Sequence, residues 1–169
     1  MKNLVLVGFM GSGKTSAGRL AARRLGMRFV DTDELIEQRS GQTISQLFAG
    51  KGEPHFRALE RALVRELAGE KGLVISTGGG MVLNPDNIQD FGRTGVVVSL
   101  WVEPQIAHKR TKHANYRPLL EGADRLEQIE SLLKQRGPLY RAITPCIDTS
   151  AMTVEEQADE IVRVYKQST

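Results

Sequence analysis

The residues with the clearest chemical potential lie near the amino end. Gly8-Phe-Met-Gly-Ser-Gly-Lys-Thr15 has the spacing G-x-x-x-x-G-K-[ST]. Small residues let successive backbone N–H groups turn toward one anion, and a helix opening directly behind them adds partial positive charge. In such a loop Gly11, Ser12, Gly13, Lys14, Thr15 and Ser16 would surround the phosphates of a nucleoside triphosphate. Lys14 would reach the β- and γ-phosphates, and the Thr15 hydroxyl would be a magnesium ligand. Chance would produce the pattern in about one chain in a hundred of this length and usage. Here it also falls between an apolar run and a helix-period segment, where the mechanism needs it.

Three further groups address what receives a phosphoryl group. Asp31-Thr-Asp33 follows a short strand-like run, and two acids one residue apart can face the same side of an extended segment. One would then hold magnesium through water while the other addresses an acceptor hydroxyl. The alternative is an acidic N-cap for the next helix. Thr77-Gly-Gly-Gly80 ends another strand-like run, so a ligand could lie against bare backbone there, or the segment could be a plain flexible turn. Arg57, Arg117 and Arg136 stand where a solvated face does not require them, and guanidinium groups grip carboxylates and phosphates bidentately. Most of the 23 basic side chains must nevertheless be surface residues.

The elements that would hold these groups alternate between strand and helix. Asn3–Phe9 reads as a strand apolar on both faces, as a central parallel strand should be. Ala17, Leu20, Ala21 and Leu25 form a helical stripe that Gly26 stops. Arg28–Asp31 is a short strand, and helical patterning resumes at Glu34 and from Arg57 to Ala68, with Leu59, Ala62, Leu63 and Leu67 as its stripe. Leu73–Ser76 and Val96–Val102 read as further strands, Asn84-Pro85 as an N-cap and N1 pair, and Pro104 as a helix start. Residues 112–124, with Arg117-Pro118 and Gly122, have weak periodicity and read as a mobile loop before a helix from Asp124. Arg136 precedes Gly137-Pro138 at the expected end of that helix. Pro145–Asp148 is a fifth strand, and Thr153-Val-Glu-Glu156 a capping box opening a last helix with Val154, Ala158, Ile161 and Tyr165 inward. The expectation is one doubly wound α/β domain over residues 1–169, with a five-stranded parallel sheet.

Composition narrows the class. A chain of 169 residues, 40% hydrophobic and 25% charged, has the makeup of a globular domain, and no apolar run reaches membrane-spanning length. The net charge of +3 comes from interspersed residues with few aromatics, which suits small anions better than nucleic acid. The lone Cys146 excludes an internal disulfide and fits a buried thiol in a reducing, cytoplasmic setting.

Taken together these pieces resemble the shikimate kinase family, small P-loop enzymes of the nucleoside-monophosphate-kinase-like group. The resemblance rests on the P-loop, Asp31-Thr-Asp33, Ile36-Glu-Gln-Arg-Ser-Gly41, Gly52-Glu with Phe56-Arg57 and Glu60, Thr77-Gly-Gly-Gly80, Arg117-Pro-Leu-Leu120 and Arg136-Gly-Pro-Leu-Tyr-Arg141. It implies strand order 2-3-1-4-5, a lid over the nucleotide, and ATP-dependent phosphorylation of the 3-hydroxyl of shikimate with Mg²⁺. It further implies that Asp33, Arg57, Gly79, Gly80 and Arg136 bind shikimate, and that Arg117 contacts the nucleotide phosphates. Thr15, with water-mediated help from Asp31, would place magnesium. Where relatives hold adenine after Asp148-Thr149, this chain reads Ser150-Ala-Met-Thr153 without an arginine, so backbone or apolar contacts are expected there and Arg110 would flank adenine from the other side. Expected partners are shikimate and ATP, with neither nucleic acid nor membrane, and a monomeric chain. A gluconate or nucleoside-monophosphate kinase, or a P-loop switch protein, are the competing readings.

Overall fold

Burial on both faces makes Asn3–Gly8 (β1) the centre of the structure: every one of its residues is buried. In this computed structural model, which describes residues 1–112 and 125–169, β1 pairs in parallel with Leu73–Ser76 (β3) on one side and Gly95–Trp101 (β4) on the other. Arg28–Asp31 (β2) and Cys146–Asp148 (β5) complete the sheet in the order β2-β3-β1-β4-β5. Leu4 and Leu6 point to one face, where they pack with Ala17 and Ala21 of Lys14–Leu25 (α1) and Ile161 of Val154–Gln167 (α7). Val5 and Val7 point to the other and join side chains from Ile44–Ala68 (α3), Pro85–Thr94 (α4) and Arg125–Arg141 (α6). Each such Val, Leu or Ile side chain contributes about 1.5–3 kcal/mol on burial. Thr32–Ser40 (α2) and Pro104–Thr111 (α5) flank the carboxyl ends of the strands, where ligands bind in open α/β sheets.

Several local expectations give way to tertiary packing. Cys146 is exposed, not buried, because β5 is a three-residue edge strand of which only Ile147 faces the core. Val154 is exposed rather than inward: it is the first residue of α7, beyond the packed face that begins with Gln157 and Ala158. The helix carrying Arg57 starts earlier than expected. Gly52, at φ 80°, breaks α3 and the helix restarts with Pro54 in its first turn, where a missing N–H costs nothing. The buried face of that helix is Phe56, Glu60, Leu63, Val64 and Leu67, while Leu59 is only partly buried. Arg136 lies inside α6, because the helix runs through Pro138 to Arg141. Gly137 lets it lie against the Trp101 ring, and the buried Ile129, Leu133 and Tyr140 offset the interruption.

Candidate active site

The loop between β1 and α1 bends through left-handed glycines, Gly11 at φ 76° and Gly13 at φ 103°. Those angles turn the peptide N–H groups toward a common side, which a residue with a β-carbon would resist. The Lys14 side chain arches back over the loop, and its Nζ donates to the carbonyls of Gly8 (2.7 Å) and Phe9 (2.8 Å). It is thereby held, 8% exposed, at the floor of a cavity of about 600 Å³ that Gly11, Gly13, Thr15 and Ser16 also line. Ser12 faces away from solvent, fully buried. Arg110, on α5 at the far rim of that cavity, donates to backbone oxygens of Gly11 (3.0 Å), Thr149 (2.6 Å) and Met152 (3.3 Å).

Asp31 combines the two roles weighed for it. Its Oδ1 caps α2 by accepting from the N–H groups of Asp33 (3.0 Å) and Glu34 (3.3 Å). Its Oδ2 accepts from the Thr15 hydroxyl at 3.0 Å, and the Ser76 hydroxyl lies 3.3 Å from the same Thr15 oxygen. This is a set of hard oxygen donors beside a phosphate cradle. Mg²⁺ characteristically takes one or two protein oxygens and fills the remaining positions with substrate phosphates and water, so the residues present fit that ion.

Asp33 does not share an extended segment with Asp31: α2 begins at Thr32, so Asp31 is its N-cap and Asp33 lies in its first turn. A methyl group on Gly78 would stand 2.7 Å from Asp33 Oδ1 and 3.1 Å from Glu60 Oε1, so the two carboxyls approach each other over that glycine. Asp33 lines both the large cavity and a smaller cleft of about 70 Å³ bounded by Arg57, Glu60, Gly78, Gly79, Gly80 and Arg136. It stands at the junction of the two.

The cleft brings two guanidinium groups, Arg57 and Arg136, together with the carboxyls of Asp33 and Glu60. Arg57 donates to Glu60 Oε2 at 2.6 Å and to Glu53 Oε1 at 3.0 Å, and its guanidinium occupies the space that a side chain on Gly80 would fill. Burial alone would lower the Arg57 guanidinium, but Glu60 and Glu53 outweigh it and the net direction is up. Burial acts in the other direction on Glu60, only 1% exposed, and pushes its carboxyl up to about 7 despite Arg57 beside it. The cause is visible in the geometry: Oε2 is bonded to Arg57, whereas Oε1 is buried with no hydrogen-bond partner among the described residues. Arg136 is 6% exposed and forms no ion pair with a carboxylate among the described residues. It acts on the Glu60 carboxyl at longer range and hydrogen-bonds the Tyr140 hydroxyl, and with no carboxylate in direct contact its guanidinium can receive an anionic ligand group. Tyr140, whose hydroxyl burial pushes up to about 12, stays neutral and donates to the Gly79 carbonyl at 2.5 Å, fixing the triple-glycine segment.

The family model described as shikimate kinase matches residues 10–166. Curated shikimate kinases from Pelotomaculum thermopropionicum and Thermodesulfovibrio yellowstonii are 45% and 43% identical, over 99% and 98% of this chain and 97% and 96% of theirs. The solved shikimate kinase of Acinetobacter baumannii in complex with shikimate superposes with a TM-score of 0.90 at 34% identity, covering 99% of this chain and 93% of that one. The chain belongs to the shikimate kinase family. Its five-stranded parallel sheet in the order 2-3-1-4-5 is the one the resemblance implied.

Measured against that family, the structure brings Lys14, Thr15, Asp31, Asp33, Arg57, Gly79, Gly80 and Arg136 to one edge of the sheet, in two adjoining cavities. Arg117, and the lid expected over 112–124 apart from Lys112, lie outside the described residues. Sequence reasoning assigned no role to Glu60, although a charged residue on the buried stripe of an amphipathic helix was a signal for one. Tyr140, Met10 and Phe48 around the smaller cleft offered no such signal, since aromatic and thioether side chains read as ordinary core.

Proposed function

We propose that this chain transfers the γ-phosphoryl group of ATP to the 3-hydroxyl of shikimate, as a single kinase domain over residues 1–169 acting as a cytoplasmic monomer. One observation carries the reading: a cleft with two cations, Arg57 and Arg136, adjoins a triphosphate-sized cavity through a single carboxylate, Asp33. A hydroxylated ring acid fits that arrangement, with its carboxylate on the guanidinium groups and one hydroxyl at Asp33. The solved relative that holds shikimate supports the same acceptor.

In this mechanism the backbone of Gly11, Ser12 and Gly13, with Thr15 and Ser16, binds the phosphates, and Lys14 spreads charge on the transferring group. Arg117 is assigned to the phosphates on its family motif alone, and Arg110 to the nucleotide from the cavity rim. Mg²⁺, held by Thr15 and Asp31, would neutralise phosphate charge when bound. Asp33 orients the acceptor hydroxyl and takes its proton as the oxygen–phosphorus bond forms. Arg57 and Arg136 fix the ring by its carboxylate, Gly79 leaves room for the ring and Gly80 for the Arg57 guanidinium beside it, and this selects which hydroxyl meets the γ-phosphate.

Measuring ADP release with Mg²⁺-ATP, alone and with shikimate, gluconate or a nucleoside monophosphate, tests the reading. Release driven by shikimate is expected. Release driven equally by another acceptor, or independent of all of them, overturns it.

A further inference from the structure

A phosphate loop that turns its N–H groups toward a ligand must turn its carbonyls away, and those carbonyls need donors from behind. In this chain two consecutive ones are met from distant parts of the sequence. The Gly11 carbonyl accepts from Arg110 at 3.0 Å, and the Ser12 carbonyl accepts from the Thr149 hydroxyl at 2.8 Å. Thr149 is fully buried at the end of β5, and its hydroxyl oxygen in turn lies 3.2 Å from an Arg110 N–H. The Trp101 carbonyl, which accepts from the Thr149 backbone N–H at 2.9 Å, lies 3.0 Å from the same hydroxyl; of the two carbonyls within reach of its single proton, that of Ser12 at 2.8 Å is the shorter contact. The third loop residue is also met from behind: a side chain on Gly13 would overlap the amide of Gln157, which donates to the Met152 carbonyl at 3.1 Å.

We propose that Thr149 is a positioning residue for nucleotide binding: its hydroxyl joins Arg110 to the Ser12 carbonyl and so holds the phosphate loop in its anion-accepting shape. Because Arg110 also grips the Thr149 and Met152 carbonyls, the loop after β5 and the phosphate loop move as one unit. The inference rests on the phosphoryl-transfer reading above and extends it to a residue with no contact to the phosphates.

The test compares Thr149→Val with Thr149→Ser. Valine keeps the volume but leaves the Ser12 carbonyl buried without its donor, whereas serine keeps the hydroxyl. Calorimetric titration with Mg²⁺-ADP should show about tenfold weaker binding for the valine variant and wild-type affinity for the serine variant. The KM for ATP should rise by a similar factor while the KM for shikimate stays within twofold. Valine binding Mg²⁺-ADP as tightly as wild type overturns the proposal, as does a serine variant that loses affinity tenfold. The serine arm decides the matter alone if the valine variant fails to fold. A wild-type enzyme that binds Mg²⁺-ADP but ignores shikimate would instead overturn the function while leaving this inference intact.

Discussion

The two halves of the site are built from different materials. The phosphate cavity is a backbone structure: its shape comes from left-handed glycines, and its ordering contacts run to main-chain oxygens of residues 8, 9, 11 and 12. The acceptor cleft is a side-chain structure, in which Arg57 is paired with the buried Glu60 and the exposed Glu53, and Asp33 and the buried Arg136 complete the lining. A triphosphate is the same in every enzyme that uses it, so fixed peptide dipoles suffice. One hydroxylated acid has to be told from many, and that takes charged groups whose positions depend on each other.

Substitution of Lys14 by methionine should break the phosphate half most severely, lowering kcat by about 10³ with little change in melting temperature, as steady-state assay and thermal unfolding would show. Asp33→Asn acts where the halves meet; kcat should fall about 10²-fold, while Mg²⁺-ADP binding, followed by calorimetry, stays near wild type. Arg57→Ala confines its damage to the acceptor half, raising the KM for shikimate about 10- to 100-fold and leaving that for ATP nearly unchanged.

A subtler difference separates the halves in their response to pH. Glu60 keeps its proton up to about 7 in the fold, against an ordinary value of 4.5 when exposed. The folded state therefore binds more protons than the unfolded state between those values, and its stability falls as pH rises through that window. Glu60→Gln, which cannot ionise, should flatten the decline; denaturant unfolding at pH 4.5 and pH 7.5 measures the difference, on the order of 1–3 kcal/mol. An unchanged slope would mean that Glu60 titrates alike in the folded and the unfolded chain.

These halves were unequally legible in the sequence. The phosphate loop is local, so its spacing alone revealed it, and its strand–loop–helix setting followed from periodicity. The acceptor cleft draws Asp33, Arg57, Gly80 and Arg136 from four separate elements, and only the family resemblance joined them. The misplacements share a physical origin. Arg136 was expected at a helix end because Pro138 breaks helices in isolation, yet packing against Trp101 carries the helix past it. Cys146 and Val154 looked like core by residue type, whereas their burial is set by an edge strand and a helix terminus. Thr149 could not be singled out at all, since its partner Ser12 lies 137 residues away.

The central claim, that guanidinium groups pin the acceptor by its carboxylate beside a backbone-held triphosphate, is tested most directly by titration calorimetry with shikimate and with its methyl ester. Saturable heat from shikimate at one site per chain, lost or weakened at least tenfold in the ester, is the predicted result. Equal affinity for acid and ester, or no heat from either in the presence or absence of nucleotide, would contradict it.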